Sequence, residues 1–231
     1  MNREYEKNLH TKVTAFKLWA KRNYPQMTEK ADNGEWCFCL EFDDMRSYSI
    51  AVINEVSADE ATEQMIDDLL YVIARDNECS TVIEELEKCD HWFSLLCRCC
   101  INTDYINAKW QFAEHLHSYK GKDNLQEMVY DFLSAEDEYT ERLALKALAD
   151  IYPECAEQYA IEFWERNKYE YDEYQKIMVL HVLYQIHSVK LPYYLELAKM
   201  SDYKYLKENA EAIQDKLKDQ DSQFQVADSY L

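Results

Sequence analysis

Glycine and proline are nearly missing from this sequence, with two and three residues respectively among 231. Glycine supplies the positive-φ turns of hairpins, and both residues interrupt helices. A β-sandwich or doubly wound α/β chain of this length needs more of them. Their scarcity points to helices joined by short polar turns and removes the glycine-rich phosphate loops of nucleotide enzymes. Basic residues are also short: 25 Lys and Arg stand against 45 Asp and Glu, a net charge of −20. Such a surface repels nucleic-acid phosphates and anionic membranes, and it attracts basic proteins. No apolar run reaches the roughly 20 residues of a transmembrane helix. The segment from Met1 to His10 is charged and has no apolar signal-peptide core, so a cytoplasmic protein is expected. Eight cysteines in a large chain without an export signal read as reduced thiols rather than disulfides.

What is present is helical periodicity. Leu9, Val13, Phe16 and Ala20 form one stripe over Glu4–Asn23, and Pro25 lies beyond its end. Gln26 to Glu35 reads as a loop. Trp36 to Phe42 alternates apolar and polar residues as a strand would, but it is isolated, so a short helix is preferred. Asp44–Val56 follows. Ser57 and Glu60 then match a capping box for a helix running to Arg75. In that helix Met65, Ile66, Leu69, Leu70 and Ile73 make an apolar face. Glu60, Asp67, Asp68 and Tyr71 fall on the opposite face, which is expected to be open. Two further helices are read over Cys79–Lys88 and His91–Ile101.

From Asp104 to Lys216 a pattern recurs. An acidic residue followed by tyrosine opens four segments: Asp104-Tyr105, Glu138-Tyr139, Glu173-Tyr174 and Asp202-Tyr203. Their starts are roughly 34, 35 and 29 residues apart, within the range of repeat arrays. Core positions align as Ala108, Leu143, Ile177 and Leu206, then four residues on as Phe112, Ala147, His181 and Ala210. Shorter partner helices are read at Leu125–Leu133, from Pro153, and at Leu191–Met200. Helices that cannot bury their stripes alone follow the logic of an α-solenoid. Three regions result: N-terminal helices and a cap over 1–57, repeats over 58–217, and a flexible polar tail over 218–231.

The stretch Asp137-Glu-Tyr-Thr-Glu-Arg142-Leu-Ala144-Leu-Lys-Ala147-Leu148 resembles the second helix of a HEAT repeat, in which an acidic residue, an apolar residue and arginine precede small apolar residues and leucine. The resemblance covers Leu125 to Leu148 best. Tyr105, Tyr174 and Tyr203 open helices that lack the matching arginine. The resemblance implies an all-α solenoid of antiparallel helix pairs, and members of such families bind proteins along their surfaces. A subset resembles bacterial alkylpurine DNA glycosylases, which need a basic concave face.

No residue pattern specifies a reaction, and no enzyme or cofactor is expected. Cys89, His91, Cys97, Cys99 and Cys100 are of zinc-ligand type but lack paired C-x-x-C spacing. On a helix, Cys97 and Cys100 share a face with Phe93 and Leu96, which places them in the core. His181, His115 and His117 have no nucleophile at a catalytic spacing. Trp110 and Trp164 could stack bases, but no Lys/Arg cluster accompanies them; Lys120, Lys122, Lys204 and Lys207 are scattered. The charge is concentrated instead: Asn54 to Asp90 holds twelve acidic residues and two basic ones. The expectation is a non-enzymatic acidic module that binds a basic protein through Glu60, Asp67, Asp68 and Tyr71. Its narrower form is an immunity or inhibitor protein that neutralises a basic toxin such as a nuclease. The alternatives are a HEAT-like DNA glycosylase or a general adaptor.

Overall fold

The structure, a computed structural model, describes residues 2–25, 39–119, 121 and 124–228. The described residues are helical throughout, with no strand. The expected loop over 26–35, and the start of the segment read over 36–42, lie outside them.

The chain divides into two compact units, 1–144 and 145–231. The first holds α1 (Asn2–Asn23), α2 (Leu40–Glu55), α3 (Glu63–Arg75), α4 (Thr81–Leu86), α5 (Asp90–Cys100), α6 (Ile106–His115) and α7 (Leu125–Leu133). The boundary falls inside α8 (Glu138–Ile151). The second unit continues with α9 (Pro153–Glu165), α10 (Glu173–Gln185), α11 (Leu191–Met200) and α12 (Lys204–Asp228). All four acidic–tyrosine pairs lie at or within two residues of a helix start. Pro153 occupies the first turn of α9, where a missing N–H leaves no helical bond unmade.

In the first unit α3 packs against α1, α2, α4, α5 and α6. Every residue from Asp68 to Asp76 is buried. A helix enclosed on all sides is a core helix, not a two-sided surface one. The predicted capping box is also replaced. Ala58–Glu60 forms a short 3₁₀ turn, and Ser57 makes no side-chain cap bond there. The chain is extended at Ala61, so α3 starts afresh at Thr62, whose hydroxyl accepts the Met65 N–H at 3.2 Å. Trp92 closes the bottom of this core, its indole N–H donating to the Val56 carbonyl at 2.8 Å. Cys97 and Cys100 are buried beside Phe93 and Leu96 on α5. Burial pushes the Cys97 thiol well up and the Cys100 thiol to about 12.

In the second unit α9 packs on α10, α11 on α12, and α10 on α12. Because α10 has neighbours on more than one side, it buries Val179, Leu180, Val182 and Leu183. The expected core register slips there: Ile177 and His181 are only half-buried. The last helix runs on to Asp228, beyond the end expected near Lys218 and into the predicted tail.

Candidate interaction surfaces

The predicted acidic face comes apart on α3. Glu60 and Asp67 are exposed, but Asp68 and Tyr71 are 1% and 2% exposed. The cause is α1, which lies over that side of α3. Asp68 meets His10, whose Nδ1 is 3.0 Å from Oδ2. Burial raises the Asp68 carboxyl, partly offset by His10 and by the Gln64 side chain. Tyr71 is walled by Phe16 at 6.3 Å and by Tyr105 edge-on at 6.2 Å. Lys17 Nζ lies 4.4 Å from its ring centroid and the Arg75 guanidinium 4.7 Å from it. Tyr71 is therefore an internal anchor between α1, α3 and the start of α6, and cannot touch a partner. Asp67 remains outside, accepting the Tyr105 O–H at 3.2 Å.

A second arrangement lies in the other unit, where α10 and α12 begin. Their opening residues are Asp172, Glu173 and Tyr174 on one chain segment, and Asp202, Tyr203 and Tyr205 on the other. Glu173 is 2% exposed. Its Oε1 accepts the Leu206 N–H at 3.0 Å, and the carboxylate also takes the Tyr205 N–H and the Tyr171 O–H. Those two amides belong to the first turn of α12, which has no helical acceptors for them. Burial pushes the Glu173 carboxyl up, but the Tyr171 hydroxyl and the two amides outweigh it, and the net displacement is downward. The same bond raises the Tyr171 phenol to about 12. Beside it, Asp172 holds Lys176 Nζ at 2.7 Å and the Tyr203 hydroxyl.

This buried carboxylate pair fixes a tyrosine rim. The Tyr171 ring stands edge-on to Tyr174 at 5.9 Å and to Tyr203 at 5.5 Å. Tyr171, Tyr174 and Tyr205 are 51%, 45% and 48% exposed. Glu170 and Asp202 are exposed close by in sequence. Aromatic faces and carboxylates together suit guanidinium and ammonium groups, through cation–π contacts and charge-assisted hydrogen bonds. Of the acidic–tyrosine pairs that signalled helix starts, Glu173-Tyr174 supplies one ring of this rim and Asp202-Tyr203 a half-buried neighbour; Tyr171 and Tyr205 lie outside those pairs, and periodicity could not mark them.

Two histidines make side-chain pairs within the fold. His115 Nδ1 is 2.7 Å from Glu87 Oε1, and the neighbouring Ser118 hydroxyl donates to the His115 carbonyl. His181 Nε2 pairs with Asn209 Oδ1 at 3.1 Å. Among the described residues, no group of three or more His, Cys, Asp or Glu side chains is placed to hold a metal ion. No described helix is long and apolar enough to cross a membrane. No protein-family model, curated protein or solved structure matches the chain.

Proposed function

We propose that the protein is a non-enzymatic binding module for a basic protein partner. The observation that carries this reading is the rim of Tyr171, Tyr174 and Tyr205, exposed yet braced from behind by the buried Glu173. Tyrosine brings large contact area at low entropic cost, and a braced ring loses little further freedom on binding. The net charge of −20 supplies the attraction for a cationic partner. Glu60 and Asp67 contribute to that long-range field from the other unit.

The architecture that fits this role is a HEAT-like α-solenoid of antiparallel helix pairs. Support comes from the second unit, where α9/α10 and α11/α12 pack as pairs and α10 and α12 adjoin. The narrower form of the proposal is a cytoplasmic immunity or inhibitor protein that neutralises a basic toxin, for which the acidic surface is suited. A HEAT-like DNA glycosylase would need the opposite charge on its binding face.

The test is capture from the native cell using the full chain, beside a variant carrying Tyr171→Ala, Tyr174→Ala and Tyr205→Ala. A basic protein retained by the parent and lost by the variant is the expected result. Retention by both, or tight low-salt binding of duplex DNA in place of a protein, overturns the reading.

A further inference from the structure

The second unit also contains a cleft of opposite character. It measures about 490 Å³ and lies among the end of α8, the outer face of α10, and α12. Lys146 and Lys216 stand at its edges, His181 and Gln185 line it, and Met178 and Val182 form its apolar floor. Neither lysine is neutralised by a carboxylate among the described residues. Lys176, Lys190, Lys199, Lys204 and Lys218 each lie within ion-pair distance of a carboxylate. Among the described residues, Lys146 and Lys216 have no such partner, as is also true of Lys207 on α12 and of Lys7, Lys21 and Lys109 in the first unit; Lys146 and Lys216 are the two that line the cleft. Asp150, four residues beyond Lys146 on α8, is engaged by Gln185, whose amide donates to its Oδ1 at 2.7 Å.

The imidazole is held in place. The Asn209 amide N–H donates to the Tyr205 carbonyl at 2.8 Å, so its oxygen faces His181 Nε2 and takes the ring's hydrogen. That leaves the other ring nitrogen for a ligand. Two ammonium groups over an apolar floor, with polar groups at the side, match a compact dianion attached to an apolar body. The volume falls within the range of small-molecule sites.

We propose that this cleft binds an organic phosphate monoester, with the phosphate between Lys146 and Lys216 and the organic part against Met178 and Val182. The site is independent of the tyrosine rim and of any protein partner. Its test uses the purified full chain alone, so its failure leaves the partner-binding reading untouched.

Phenyl phosphate serves as the probe, followed by nuclear magnetic resonance of the Met178 methyl and the His181 ring. Saturable shifts of both signals are expected, weakened about tenfold or more when Lys146→Ala and Lys216→Ala are combined, as loss of two charge-assisted contacts requires. Alanine is the best helix former and both lysines are exposed, so the double variant keeps the fold. Lys190→Ala, which removes the exposed partner of Glu157, should leave the titration unchanged. Shifts that do not saturate, or that Lys190→Ala diminishes equally, overturn the site. Inorganic phosphate binding as tightly as phenyl phosphate overturns the assignment of an organic body to the apolar floor.

Discussion

The Glu173 carboxylate, set in the first turn of α10, accepts the backbone N–H of Leu206, 3.0 Å away and 33 residues further along the chain. One side chain thereby caps a helix other than its own and orders the start of α12. Glu173→Ala should cost about 1–2 kcal/mol at neutral pH, the usual loss of a cap. The pH dependence has a definite sign. The folded carboxyl titrates below the unfolded value of 4.5, so its contribution is fully present above that value and is lost as pH falls through the folded pKa. Urea midpoints of parent and variant should therefore differ at pH 7 and converge toward acid. A constant gap down to low pH would contradict this role.

Asp76 caps α4 in a similar way but with the opposite electrostatic sign. Its Oδ2 accepts the Val82 N–H at 2.8 Å, and the Thr81 N–H also reaches it. Burial raises this carboxyl above 3.8; the Val82 N–H and the Arg46 guanidinium, 3.7 Å from Oδ1, offset only part of that rise. The ionised form is thus a burden on the fold at neutral pH, and protonation favours the native state as pH falls through the raised value. Asp76→Asn keeps an acceptor for the amides without the charge, and should leave stability at pH 7 unchanged to within about 1 kcal/mol or improve it. Asp76→Ala leaves the amides unmade and should cost about 1–3 kcal/mol. Equal losses in both variants, measured by urea titration, would rule out charge burial as the distinguishing cause.

Tyr71 was legible as an important residue but not as a buried one. Helical periodicity correctly separates the face of Met65, Leu69 and Ile73 from that of Asp67 and Tyr71. It says nothing of a second helix covering the polar face, and here α1 does so. The cover tolerates polar side chains because each has company: Asp68 has His10, and Tyr71 has Lys17 and Arg75. These contacts are 58 residues apart in the case of His10 and Asp68, beyond the reach of any local pattern. Helix starts were legible for the converse reason. Caps, first-turn proline and acidic–tyrosine openings are local signals, and they mark α8, α9 and α10 to within a residue. The slipped register at His181 belongs with Tyr71: both follow from how many neighbours a helix has.

Tyr71→Ala should therefore destabilise rather than merely weaken binding. Removing a fully buried aromatic ring costs about 3–5 kcal/mol. Denaturant unfolding should show a lowered midpoint, and Lys17 and Arg75 would lose the ring between them. A variant as stable as the parent would place the ring outside the core.

The cysteines should divide by burial. Cys79 is exposed, whereas Cys97 and Cys100 are buried with raised thiols. Alkylation requires thiolate and access together. Iodoacetamide at neutral pH should label Cys79 before Cys97 and Cys100, and reach those two only on unfolding. A chelator should leave Tm unchanged, since these two thiols pack within α5's apolar face; a structural zinc site would instead lose much of its folding energy.

The partner-binding reading predicts a split between rates. Glu60 and Asp67 are exposed carboxylates in the most acidic stretch of the chain, and rim charges act chiefly on encounter. Glu60→Lys with Asp67→Lys should slow association with the native partner and flatten its dependence on salt, with little change in dissociation. Tyr171 and Tyr174 are expected to act on the other rate. Their rings supply the contact that must be undone for the partner to leave, so alanine at both should speed dissociation by about tenfold or more, as loss of a hot-spot pair does. Stability should hold in the Tyr174→Ala single variant, because that ring is 45% exposed. Tyr171→Ala removes one donor to Glu173 while the Leu206 and Tyr205 amides remain, so α12 keeps its cap. Surface plasmon resonance at two salt concentrations separates these effects. If dissociation is unchanged in the tyrosine variants while their unfolding midpoints match the parent, the rim is a solvated helix end and the interface lies on another face.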